Sequence, residues 1–162
     1  MTTAVRRRPI PARPPSAATA AKTSTLPLVM GLLTLLGLGL AGYMSYTDLI
    51  STALVCGGIG DCDTVHASAY ARLLGVPVSV LGFASYAAIA ILLAARLGLR
   101  NGLRYLALLG IVIVAVSGAV FSAYLTYIEF FIIDAVCPWC VVSAIVVIAL
   151  AALALVDAHS GP

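Results

Sequence analysis

Asp134-Ala135-Val136-Cys137-Pro138-Trp139-Cys140 runs without a break into residues 141–156, an apolar stretch that carries no charge. A Cys-x-x-Cys pair at a helix entrance is set up for redox chemistry. The unpaired N–H groups and positive dipole end of the helix favour a thiolate over a thiol. The thiolate is the form that attacks a disulfide. Pro138 suits the first turn, where its missing N–H would have had no partner. The run behind it is apolar enough to lie in lipid. The pair is therefore expected at a membrane surface, and the chain as an all-α integral membrane protein.

Composition agrees. Of 162 residues, 62% are apolar and 9% charged, whereas a soluble domain carries about a quarter charged residues. The length fits one domain. The net charge of +3 is no nucleic-acid footprint, because the basic residues are segregated along the chain. An even count of four cysteines, one pair spaced Cys-x-x-Cys, implies disulfide chemistry in an oxidising compartment. Haem attachment fails, since Val141 rather than His follows Cys140.

Residues 1–25 hold Arg6, Arg7, Arg8, Arg13 and Lys22 among Pro, Ala, Thr and Ser, and are expected as a disordered basic tail. The arginine run resembles a twin-arginine export signal, but the apolar segment after it is too long and lacks a small-residue cleavage site. Four spans follow within a membrane domain over residues 26–157: 26–46, 76–95, 103–127 and 136–156. Residues 158–162 form a short tail. The first span, at 1.5 Å per residue, is about 31 Å long and matches the hydrocarbon core. The tail and the turn with Arg96, Arg100 and Arg104 carry nearly all the positive charge, and the other two connections hold only Arg72. The excess of Lys and Arg predicts both termini in the cytoplasm of a plasma-membrane protein, with all four cysteines facing outward.

The outer loop between the first two spans contains Cys56-Gly57-Gly58-Ile59-Gly60-Asp61-Cys62, a pliable turn that a Cys56–Cys62 bridge would close. A static bridge is the plain alternative. Four outward cysteines in an oxidising location argue against a four-thiolate zinc site, and no metal is expected. Asp63 is expected to cap a short surface helix over residues 64–74, ended by Gly75, that roofs the bundle. His66 on that helix is expected to be solvated, and Glu129 and Asp134 to be interfacial acids. Trp139 is read either as an interface anchor or as the wall of a ligand pocket.

Four spans, the Cys-x5-Cys loop, Ser68 six residues after Cys62, Gly75-Val76-Pro77 leading into Leu81-Gly82-Phe83-Ala84-Ser85-Tyr86, and Cys137-Pro138-Trp139-Cys140 opening the last helix together resemble a bacterial vitamin K epoxide reductase homologue. The likeness covers residues 26–156, in a four-span form without a fused thioredoxin-like domain. It implies a four-helix bundle around a quinone (menaquinone, ubiquinone or phylloquinone type) with two electron-relaying cysteine pairs. Cys140 would face the quinone, Cys137 would exchange with Cys62, and Cys56 would take electrons from a separate thioredoxin-fold protein on the outer face. Ser68 matches a hydroxyl near the active pair, with Trp139 accessory to the quinone site. Ala144 departs from the animal members, which carry there a tyrosine that contacts the quinone. The expected function is thus a membrane thiol:quinone oxidoreductase supporting disulfide formation. The rivals are a structural tetraspan protein with static disulfides and a convergent thiol oxidase that carries its pairs in two loops.

Overall fold

Apolar side chains surround the long helical segments instead of lining one stripe, the pattern of helices that meet protein on one side and lipid on the other. The computed structural model describes residues 17–56, 60–99 and 101–160. Residues 1–16 of the expected tail, the loop tip 57–59, Arg100 and residues 161–162 lie outside the described residues. In chain order come α1 (Ala17–Leu49), α2 (Cys62–Ala67), a 3-10 turn (Ala69–Ala71) and a hairpin of β1 (Arg72–Leu73) and β2 (Val76–Pro77). Then follow α3 (Val78–Gly98), α4 (Asn101–Ile128), a π turn (Glu129–Ile133) and α5 (Pro138–Ser160).

Among the described residues, four helical segments are long and apolar enough to cross a bilayer: Thr25–Leu49, Val78–Gly98, Gly102–Ile133 and Pro138–Ser160. They close a ring in which α1 packs on α3, α3 on α4, α4 on α5 and α5 on α1. Met30, Ile89, Ile111, Ala115, Leu150 and Ala154 fill its centre. Leu32, Leu35, Ile91, Ile113, Val120 and Ile145 remain exposed, an apolar belt suited to lipid. At the end away from the cysteines, the Arg96 guanidinium meets the Asp157 carboxylate at 2.6 Å and ties α3 to α5.

The chain is therefore a four-helix membrane bundle. Its boundaries differ from the expected ones for local reasons. α1 begins at Ala17, inside the segment expected as tail. The second span starts at Val78 because Val76 and Pro77 form a strand of the hairpin. The third runs on through the π turn to Ile133.

The expected surface helix over residues 64–74 is corrected to a shorter one followed by a hairpin. Asp61, not Asp63, caps α2, its Oδ1 accepting the Thr64 N–H at 3.1 Å. Asp63 instead accepts the Leu54 N–H at 3.2 Å. The helix ends at Ala67, where the Ser68 hydroxyl donates to the Val65 carbonyl at 2.7 Å. Leu74 and Gly75 both have positive φ, 53° and 85°. That is the backbone of a tight two-residue hairpin turn, so Gly75 reverses a hairpin instead of ending a helix.

Candidate active site

Cys137 is the N-cap of α5. Its carbonyl accepts the Val141 N–H at 3.1 Å, opening the helix, and Pro138 takes the first helical position. A capping side chain normally accepts the N–H three residues on, and here the acceptor is sulfur: the Cys140 N–H points at Cys137 Sγ, 3.4 Å away. In a capping box, a carboxylate from inside the helix reaches back to the N-cap N–H. Cys140 occupies that place, and the carboxylate comes from the π turn after α4 instead. Glu129 Oε2 accepts the Cys137 N–H at 3.1 Å and is 3% exposed. The π turn positions Glu129, and Asp134, in the left-handed region at φ 52°, reverses the chain behind it. Glu129 is thus a buried part of the site, not an interfacial acid.

Cys56 and Cys62 are joined by a disulfide, while Cys137 and Cys140 are free thiols. The loop docks onto the start of α5 through the Asp61 N–H, which donates to the Val136 carbonyl at 3.1 Å. Gly60 makes this approach possible. It sits at φ 84°, and a Cβ there would lie 2.3 Å from the Val136 oxygen. Docking buries Cys62 and Val65 with Met44, Leu54, Ala135 and Cys137 in one cluster. The sulfur-bearing residues Cys62 and Cys137, from the two pairs, thereby share one dry pocket.

Trp139 secures the other side of the loop. Its Nε1–H donates to the Val55 carbonyl at 3.1 Å, beside Cys56. Its ring meets Tyr43 edge-on at 5.9 Å, and the Val55 N–H donates to the Tyr43 hydroxyl at 3.3 Å. Trp139 lines a shallow groove with Leu35, Leu36 and Tyr43 and is not among the side chains lining the main cavity. In this position the indole clamps the loop.

The main cavity, about 340 Å³, lies inside the ring directly under α2, within the range of small-ligand sites of roughly 300–1,000 Å³. Ile89, Phe121, Leu125 and Val147 supply apolar wall, and Cys140, His66, Asp48, Glu129, Ser68 and Ser143 supply polar groups. Ser68 thus borders the cavity, although its hydroxyl is engaged by the Val65 carbonyl. Across the cavity, the Tyr86 hydroxyl donates to the Ser143 carbonyl at 2.9 Å.

His66 is half-buried rather than solvated. Its Nδ1 is 2.8 Å from Asp48 Oδ1, and its Nε2 is 3.9 Å from Cys140 Sγ. The three ligand-capable atoms of His66, Cys137 and Cys140 lie within 4.8 Å of one another. The trio reads as a thiol–imidazole cluster.

The electrostatics favour one charged sulfur. The Cys140 thiol donating to Cys137, helped by His66, outweighs burial and lowers the Cys137 pKa to about 5. Burial works against charge on His66, but the Cys137 sulfur and the Asp48 carboxylate outweigh it and hold the imidazole pKa above its ordinary value. The helix entrance therefore favours a thiolate at Cys137, the N-cap, and not at Cys140, whose N–H is the donor.

A dithiol at the mouth of a membrane bundle, with a bonded cysteine pair docked above it and an apolar cavity below, defines a membrane thiol oxidoreductase. The chain belongs to the vitamin K epoxide reductase family, whose model matches residues 28–155. The match takes in both cysteine pairs and most of every span. Family membership makes it a membrane thiol–quinone oxidoreductase.

Proposed function

We propose that the protein passes electrons from a thioredoxin-fold thiol protein on the outer face, through Cys56–Cys62 and then Cys137–Cys140, to a membrane quinone, and so supports disulfide formation. The observation that carries this reading is the position of the inner pair. Cys137 shares a buried cluster with Cys62, while Cys140 lines the cavity. The pair thus spans the distance between the loop and a small-molecule site.

The partner's dithiol reduces the Cys56–Cys62 bond through a mixed disulfide on Cys56. Cys62 thiolate then attacks Cys137 of the oxidised inner pair and releases Cys140. Cys56 attacks Cys62 in turn, reforming the loop bond and expelling Cys137. A sulfur with a pKa of about 5 is a good leaving group, because a low-pKa thiol departs faster. Cys140 next delivers the electrons to the quinone substrate in the cavity. Two pairs are needed because a protein partner is too large to enter the bundle.

The test is a purified full-length chain supplied with a dithiol and a short-tail quinone. Cys140→Ala should abolish quinol formation, and Cys62→Ala, given a thioredoxin-fold partner in its disulfide form, should accumulate a mixed disulfide as Cys56 attacks the partner's bond and no Cys62 is present to resolve it. Normal turnover by Cys140→Ala refutes the route.

A further inference from the structure

The relay just proposed moves electrons, but a quinone becomes a quinol only by also taking up two protons. Resting on that reading, we propose that His66, held in place by Asp48, is the acid that delivers one of these protons to the quinone. The imidazole is oriented at both ends. Nδ1 is fixed by Asp48 Oδ1 at 2.8 Å, and Asp48 Oδ2 is itself fixed by the Ser79 hydroxyl. Nε2 is thereby left facing Cys140 Sγ at 3.9 Å, and all four residues line the same cavity. The serine, threonine and tyrosine hydroxyls that also line the cavity are far weaker acids than an imidazolium. A half-buried carboxylate–imidazole pair aimed at the reacting sulfur has the geometry of a general acid–base device.

The step balances. At the outset Cys137 is a thiolate, Cys140 a thiol and His66 an imidazolium. Two electrons leave the sulfurs as the Cys137–Cys140 bond forms. The quinone receives them with one proton from the Cys140 thiol and one from His66. His66 is left neutral. The two protons of the next reduced Cys56/Cys62 pair restore the thiol and the imidazolium.

The groups facing His66 are Asp48 from α1, Ser79 from α3, Glu129 from the π turn, and Cys137 and Cys140 at the start of α5. Asp48 and the Cys137 thiolate favour the imidazolium, and burial opposes it. Because the protonated form is the donor, the rate should fall as pH rises through the imidazole pKa, which lies above its usual value.

Quinol formation by the pre-reduced full-length protein, measured in single turnover against pH with a short-tail quinone, tests this. His66→Gln should slow the step about 100-fold and remove the alkaline limb, in line with general acid catalysis. Asp48→Asn, which alters a positioning residue, should keep the limb and move it to lower pH. A His66→Gln protein within about threefold of wild type that keeps its alkaline limb overturns the proposal. Should that variant fail to fold, Asp48→Asn decides: a limb shifted to lower pH supports the proposal and an unmoved one overturns it. A merely structural histidine would not move the limb. The relay itself is judged separately in the same assay. Loss of activity in Cys140→Ala with a neutral result in His66→Gln sinks the proton donor alone, whereas an active Cys140→Ala sinks the relay.

Discussion

At the scale of single residues, the site turns on Cys137 being both a helix cap and a redox sulfur. A capping atom must accept a hydrogen bond, and a thiolate accepts far better than a thiol. The fold therefore favours the charged form at that position, with the Cys140 side chain, the Cys140 N–H and His66 converging on it. The reduced protein should retain ultraviolet thiolate absorbance as pH falls, losing it only near pH 5, where an ordinary thiol loses it near 8.5. The signal should vanish in Cys137→Ala. A midpoint near the ordinary thiol value would show that the cap geometry does not charge the sulfur. The four cysteines were plain in the sequence because their spacing is a covalent fact. His66 left a usable trace: four residues beyond Cys62, it shares one helical face with it. Asp48 and Glu129 left none. Asp48 lies just past the expected end of the first span, and Glu129 faces inward only because a π turn follows α4, and such a turn has no sequence signature.

At the scale of elements, the loop is held to α5 by few contacts, as a segment that must dock and release requires. Gly60 on one side and the Trp139–Val55–Tyr43 clamp on the other fix Cys56–Cys62 over Cys137. A side chain at Gly60 meets two penalties, a left-handed backbone costing about 1–2 kcal/mol and a collision with the Val136 carbonyl. Gly60→Ala should therefore slow transfer between the two pairs by about tenfold or more. Reduction of quinone by an already reduced inner pair should be left nearly unchanged. Following the two half-reactions separately by thiol labelling checks this, and equal slowing of both would contradict a docking role. A short helix and a hairpin stand in place of the helix expected over residues 64–74 for a related reason. Val65, Ala69 and Leu73 repeat at helical spacing, but the positive φ at Leu74 and Gly75 folds the second half back on itself. Hairpin and helix read alike over so few residues.

At the scale of the molecule, the four spans were legible because lipid imposes length and composition together, and no soluble alternative tolerates so little charge. What composition could not supply was how the ring closes, since apolar helices in lipid associate through shape more than through pattern. Orientation rests on charge. Arg96 and Arg104 lie at the end of the bundle opposite the cysteines, and Arg96 pairs there with Asp157. By the positive-inside rule that end should face the cytoplasm, leaving the thiols where an external partner can reach them. Two exposed positions make this measurable. Leu74, 97% exposed, sits at the hairpin turn beside the cysteines, and Leu97, 88% exposed, at the opposite end of α3. In a background with all four cysteines replaced by serine, Leu74→Cys should react at once in intact cells with a maleimide that cannot cross membranes. Leu97→Cys should react only after the cells are opened. The reverse pattern would turn the bundle over and place both cysteine pairs in a reducing compartment, where a loop disulfide poised to accept electrons from outside would have no substrate.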